Sequence, residues 1–187
     1  TCMVAMYQPF MEIWVGKDLM LSNMNMFLFG VYFYLINMNT IRNQYIDGSG
    51  IWNELRMSYI LEAFGNLVLN IILGKVFGVS GILWATILTI FIFNYSVRTH
   101  RLFVSYFQRN GEGRFNLDQL QYAIVAIVSV SGTFWICSKL PFYGILKFIL
   151  CGVCAVVIAT LFFIISFSGT GRFRDAKKIV KRSFNIF

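Results

Sequence analysis

Long apolar runs separated by short polar reversals set the rhythm of this chain. Thr1 to Val15 is apolar except for Gln8, Pro9 and Glu12 and reads as the end of a spanning helix, with a turn at Gly16-Lys-Asp18 and Glu12 near the interface. No formal charge occurs between Asp18 and Arg42, which is long enough for a span of about 20 residues, so a second helix is predicted over 19–41. Asn25, Tyr32 and Asn39, seven apart, give it a mildly polar face. Thr40 to Asn53, holding Asp47-Gly48 and Gly50, carries a turn signature, and Trp52 stands where an interfacial aromatic belongs. Helices over 54–73 and 82–107 follow, joined by a tight reversal at Gly74–Gly81, where Gly74-x-x-x-Gly78 serves loop geometry rather than helix packing. After the hydrophilic turn Arg109–Arg114, Asn116 resembles a helix N-cap, with Gln119 in the capping-box position and Phe115 and Leu120 as a staple. That predicts a helix over 117–138, broken at Pro141, and a last, uniformly apolar one over 142–168. The fold class expected is all-α: a polytopic transmembrane helix bundle over 1–168, about five full spans plus the end of another, with a basic tail over 169–187.

Within the third predicted helix lies a carboxylate, Glu62. A charge in an apolar span costs about 2.5–3.5 kcal/mol by insertion scales and therefore turns toward a partner or a water-filled cavity. Ser58, Glu62, Asn66 and Asn70 recur every four positions, drawing one polar stripe along the helix. Lipid would repel that stripe, so another helix or an aqueous path is expected against it, as in a transporter.

Composition supports the membrane reading. The chain is 58% hydrophobic and 13% charged, where a soluble domain carries about 25% charged residues. Its net charge of +8 does not imply nucleic acid, because the basic residues stand at the ends of apolar runs, where they act as topology signals. If the tail is cytoplasmic, it shares its side with Arg42, Arg56, Arg98, Arg101, Arg109 and Arg114, against Lys17, Lys75, Lys139 and Lys147 opposite. The positive-inside bias thus places the C-terminus in the cytoplasm. In the tail, Phe173, Ala176, Val180 and Phe184 fall near one helical face among Arg172, Arg174, Lys177, Lys178, Lys181 and Arg182. That pattern suits an amphipathic helix on anionic membrane lipids, with a solvated basic tail as the alternative. No charged leader and cleavage site opens the chain, and the expectation is a fragment whose N-terminal part is absent.

Several chemistries lack their residues. There is no phosphate-cradling Gly-x-x-x-x-Gly-Lys-[Ser/Thr] loop, since Gly74-Lys75 has neither the upstream glycine nor the following hydroxyl. His100 is the single histidine and cannot build a metal site alone. Cys2, Cys137, Cys151 and Cys154 all lie in apolar stretches, and the Cys151-x-x-Cys154 spacing is read as helix packing rather than metal or disulfide chemistry. Asp47-Gly48 is not followed by the paired aspartates that membrane phosphotransferases use. The expectation is no enzyme, no cofactor and no metal. What remains is polar residues facing inward on the second, third and fourth helices, with Arg42, Arg56, Arg98 and Arg101 at their cytoplasmic ends. Arginine forks suit phosphate or pyrophosphate, so these four are the phosphate-facing candidates; positive-inside determinants facing headgroups are the alternative for each.

Three stretches carry a resemblance: Gln8-Pro-Phe-Met-Glu-Ile-Trp-Val-Gly16, Asp47-Gly-Ser-Gly-Ile-Trp52, and Tyr59 through Ile82 with its Glu62-Ala-Phe-Gly-Asn core. Together they resemble the C-terminal half of bacterial polysaccharide biosynthesis flippases, the O-antigen and capsule repeat-unit exporters of the MOP (multidrug/oligosaccharidyl-lipid/polysaccharide) superfamily. The resemblance implies a second lobe of a two-lobed transporter in the bacterial cytoplasmic membrane, partnered by the missing N-terminal lobe. It implies transport of an undecaprenyl-pyrophosphate-linked oligosaccharide by alternating access. Ser58, Glu62, Asn66 and Asn70 would then line the substrate path, with Glu62 coupling transport to a H⁺ or Na⁺ gradient or, alternatively, hydrogen-bonding Asn or Arg on a neighbouring helix. A drug/cation antiporter of the same superfamily and a non-transporting membrane scaffold or assembly subunit are the other readings.

Overall fold

The computed structural model describes residues 1–16, 20–108 and 111–184, the last span without the side chains of 172 and 181–184. Lys17 and Asp18 of the first expected turn, Arg109 of the hydrophilic turn, and the side chains of Arg172, Lys181, Arg182 and Phe184 lie outside the described residues. The described residues are helical throughout, without strands: α1 Cys2–Trp14, α2 Asn23–Ser49, α3 Trp52–Phe77, α4 Val79–Ser105, α5 Glu112–Lys139, α6 Gly144–Phe167 and α7 Gly171–Phe184. Four of them, α3 to α6, are long and apolar enough to cross a membrane, which marks a multi-pass membrane protein. At 27 residues α2 is long enough too, but asparagines interrupt its apolar run.

The helices form two compact units, Leu21–Asp118 and the pair of segments Thr1–Met20 and Gln119–Phe187. In the first, α3 and α4 make a hairpin about Gly78, whose φ of 59° and ψ of −135° suit glycine alone. Close packing in the hairpin falls chiefly to Gly81, where a Cβ would overlap the Leu73 carbonyl oxygen, and also to Gly74, where one would stand 3.2 Å from Ile82 Cγ1. Leu28 of α2 packs with Leu83 and Ile87 of α4, backed by Tyr32 and Leu35. Nearer the other end of the hairpin, Ile46, Leu55 and Leu102 bring all three helices together. In the second unit α1 lies on α6. Gly152 allows the approach, since a Cβ there would stand 3.1 Å from the Met6 methyl carbon. Ala5, Cys137, Cys151 and Ala155 form that unit's core, with Cys154 packed against it, so the Cys151-x-x-Cys154 pair serves packing.

Several predicted boundaries move. The reversal expected over Thr40–Asn53 shrinks to Gly50 and Ile51, because α2 runs on to Ser49 and stops where Gly50 takes φ 71°, the left-handed cap that ends helices. Asp47-Gly48 stays helical. Likewise α3 continues past 73 to Phe77 and α4 begins at Val79, so Gly78 alone makes the turn expected of eight residues. Asn116 is no N-cap: α5 starts at Glu112, and Phe115, freed from its staple role, packs on Phe103 with ring centroids 5.4 Å apart. The break at Pro141 stands where expected, between Lys139 and Gly144.

Candidate functional site

The polar stripe on α3 is where the first unit's helices meet. Ser58, only 6% exposed, donates to the Phe93 carbonyl across the hairpin at 3.4 Å. Glu62, one turn on, forms an ion pair with Arg98 of α4. Asn66 donates to the Thr89 hydroxyl at 3.0 Å, and Asn70 donates back to Asn66 at 2.8 Å. The i, i+4 spacing thus presents three successive groups to one neighbouring helix and links the fourth to them along its own. Glu62 is the eleventh residue of α3 and lies about 15 Å along the helix axis from its start, half the thickness of a hydrocarbon core of about 30 Å.

Arg98 is 3% exposed. Besides Glu62 it has the ring of Tyr59, whose centroid lies 3.6 Å from the guanidinium carbon, so that an aromatic face shields the cation where lipid otherwise would. Arg42 of α2 is equally buried, at 4%. Its fork donates to Asn94, to Asn43 at 3.1 Å, to the Thr99 hydroxyl at 3.0 Å and to the Tyr95 carbonyl at 3.4 Å. Asn94 also lies beside the Glu62 carboxylate. The result is a polar cluster of two bonded pairs, Arg42–Asn94 and Glu62–Arg98, spread over three helices, with two cations and one carboxylate.

The backbone beneath this cluster is unusual. Ile90–Val97 of α4 is π-helical, and the Ser96 hydroxyl donates to the Phe91 carbonyl five residues back at 3.0 Å. A π turn takes up more residues than an α turn, so positions beyond it lag behind the α register. Asn94, Tyr95, Arg98 and Thr99 all lie in or just after this stretch. Sequence reasoning passed over Tyr59, Tyr95 and Thr99, although Asn94-Tyr95 and Arg98-Thr99 form polar doublets four apart, a legible signal.

The four candidate arginines divide. Arg42 and Arg98 are built into the network, whereas Arg56 and Arg101 are exposed and stand outside it among the described residues. Depth explains the split. Arg42 and Arg98 sit seven residues inside their helix ends, about 10 Å, but Arg56 and Arg101 only four, about 6 Å, and can reach water. Between α2 and the hairpin opens a cleft of about 410 Å³ lined by Tyr32, Tyr59, Glu62, Asn66, Thr86, Thr89 and Arg98. Arg42 Nε, Arg98 Nε and Asn70 Oδ1 are buried without a hydrogen-bond partner among the described residues. No group of three His, Cys, Asp or Glu among those residues could hold a metal ion. Chemically, the cleft offers a paired guanidinium and carboxylate, with amide and hydroxyl groups along one wall. No family model matches this chain, and neither a curated protein nor a solved structure does.

Proposed function

We propose that this chain is a lobe of a membrane transporter, a flippase moving undecaprenyl-pyrophosphate-linked oligosaccharide repeat units across the bacterial cytoplasmic membrane. One observation carries the reading: a cleft inside a bundle of apolar helices is lined by Glu62, Asn66, Thr86, Thr89 and Arg98. Ionisable groups at membrane depth are costly and mark substrate or ion paths. The resemblance of Tyr59–Ile82 to repeat-unit exporters supplies the substrate class. With α2 counted as a span, the basic residues of one side, the tail included, are cytoplasmic. Arg56 and Arg101, exposed near the helix ends on that side, are the arginines best placed to meet a pyrophosphate, and Glu62 couples the cycle to a H⁺ or Na⁺ gradient. Two buried arginines against one carboxylate favour anionic cargo over the cationic drug of the antiporter reading. The scaffold reading draws support from the same network, because Glu62 and Arg98 already satisfy one another.

The test is complementation of a bacterial strain lacking its repeat-unit flippase, with this chain supplied alone and together with the N-terminal lobe of a repeat-unit flippase. Restored surface polysaccharide that fails with Arg56→Gln/Arg101→Gln supports the flippase. Folded protein in the membrane with no export refutes it and leaves the scaffold.

A further inference from the structure

The C-terminal helix α7 takes no part in the network above, yet its position is tightly prescribed. Only Ser168, Gly169 and Thr170 separate it from α6, one of the four helices apolar enough to cross a membrane. Thr170 Oγ1 donates to the Phe167 carbonyl at 2.7 Å, closing the end of α6, and accepts from the Phe173 amide at 3.3 Å, capping the start of α7. Phe173 also meets Phe163 of α6, with ring centroids 6.3 Å apart. A three-residue connection spans at most about 10 Å, so α7 starts at the membrane surface on which α6 emerges and is held back against it by an aromatic pair.

What α7 carries suits that surface. Its 14 residues contain Arg172, Arg174, Lys177, Lys178, Lys181 and Arg182 against Asp175 alone. Beyond Phe173, which packs on Phe163, its apolar side chains are mostly exposed: Ile179 is 65% exposed and Val180 54%. Among the described side chains one cation is locally matched, Lys178 to Asp175 at 3.2 Å, which leaves a large positive excess. An exposed apolar edge flanked by basic residues, tethered at the interface, has the form of helices that lie in the headgroup plane. We infer that α7 is an interfacial helix docked on anionic phospholipid, with Phe173, Ala176, Val180 and Ile179 entering the acyl boundary and the basic residues holding phosphates. Continuity with α6 selects lipid over a protein partner, since the bilayer begins where α7 does.

The full chain is reconstituted in nanodiscs of phosphatidylcholine alone or of phosphatidylcholine and phosphatidylglycerol at 7:3, and amide hydrogen exchange is followed over 173–184. Near an anionic surface each Lys or Arg strengthens binding by about fivefold. Exchange in this segment is therefore expected to slow at least tenfold in the anionic discs and to recover in 0.5 M salt. Lys177→Glu/Lys178→Glu should remove the lipid dependence, and Val180→Asp should speed exchange in both discs. These substitutions lie on an exposed helix and leave α1–α6 to fold, which exchange in α6 checks within the same experiment. Equal exchange in the two lipids, or protection that survives both Lys177→Glu/Lys178→Glu and Val180→Asp, overturns the assignment.

Discussion

Replacing Glu62 by leucine strands a buried cation. Arg98 is 3% exposed and Glu62 is its carboxylate partner, so Glu62→Leu leaves a charge that cannot reach water. Removing one member of a buried pair costs about 3–5 kcal/mol. The low end applies here, about 3 kcal/mol, because the Glu62 side chain is itself 18% exposed and the Tyr59 face keeps about 1 kcal/mol of cation–π attraction. Arg98→Met leaves the more accessible carboxylate behind and costs less, about 1–2 kcal/mol. In the double variant Glu62→Leu/Arg98→Met neither charge is stranded, and stability returns to within about 1 kcal/mol of the parent, as when apolar residues of similar volume replace a buried pair. The cycle should give a coupling of about 3–5 kcal/mol. Thermal unfolding in detergent reads it, with a thiol-reactive dye reporting exposure of buried Cys137 and Cys151. At about 2–4 °C per kcal/mol for a chain of this size, Glu62→Leu should lower Tm by about 6–12 °C and the double variant by little. If both single variants shift Tm by less than 2 °C and their effects add, the pair carries no stability and the network reasoning fails.

Two glycines in the hairpin should respond oppositely. A Cβ at Gly81 overlaps the Leu73 carbonyl oxygen, whereas one at Gly65 meets Phe93 Cε2 and Thr89 Cγ2 at an ordinary 3.5 and 3.9 Å. Gly81→Ala is thus expected to destabilise by about 2–3 kcal/mol and Gly65→Ala to be neutral or to stabilise by up to about 1 kcal/mol, both read by Tm. Arg42→Lys keeps the charge but replaces a fork that reaches Asn43, Asn94, Thr99 and Tyr95 with a single ammonium. It should cost about 1–2 kcal/mol, and a Tm equal to the parent's would show those bonds to be dispensable. Cys137 and Cys151 are buried; a hydrophilic maleimide should label both only after denaturation, as peptide mass mapping would show.

Sequence made the helices legible because lipid forces long apolar runs, and it made the α3 stripe legible because polar groups four apart in such a run must face something other than lipid. The turns were misjudged for a local reason. Polar residues such as Asn43, Gln44 and Asp47 are as content in a solvated helix as in a loop, so α2 runs on until Gly50 supplies the left-handed cap. The network's other half was illegible for a different reason. Ile90-Phe-Ile-Phe93 opens the π segment with four apolar residues that betray no distortion. Its carbonyl partner lies elsewhere: Arg42, 53 residues before Tyr95, donates to the Tyr95 carbonyl and clasps Asn94 and Thr99 on either side. A side chain drawing on the main-chain ladder is a recognised cause of local helix distortion, and here it gives a buried guanidinium the acceptors it would lack against a regular α-helix. Neither the buried arginine nor the π segment is intelligible alone; in the folded hairpin each accounts for the other.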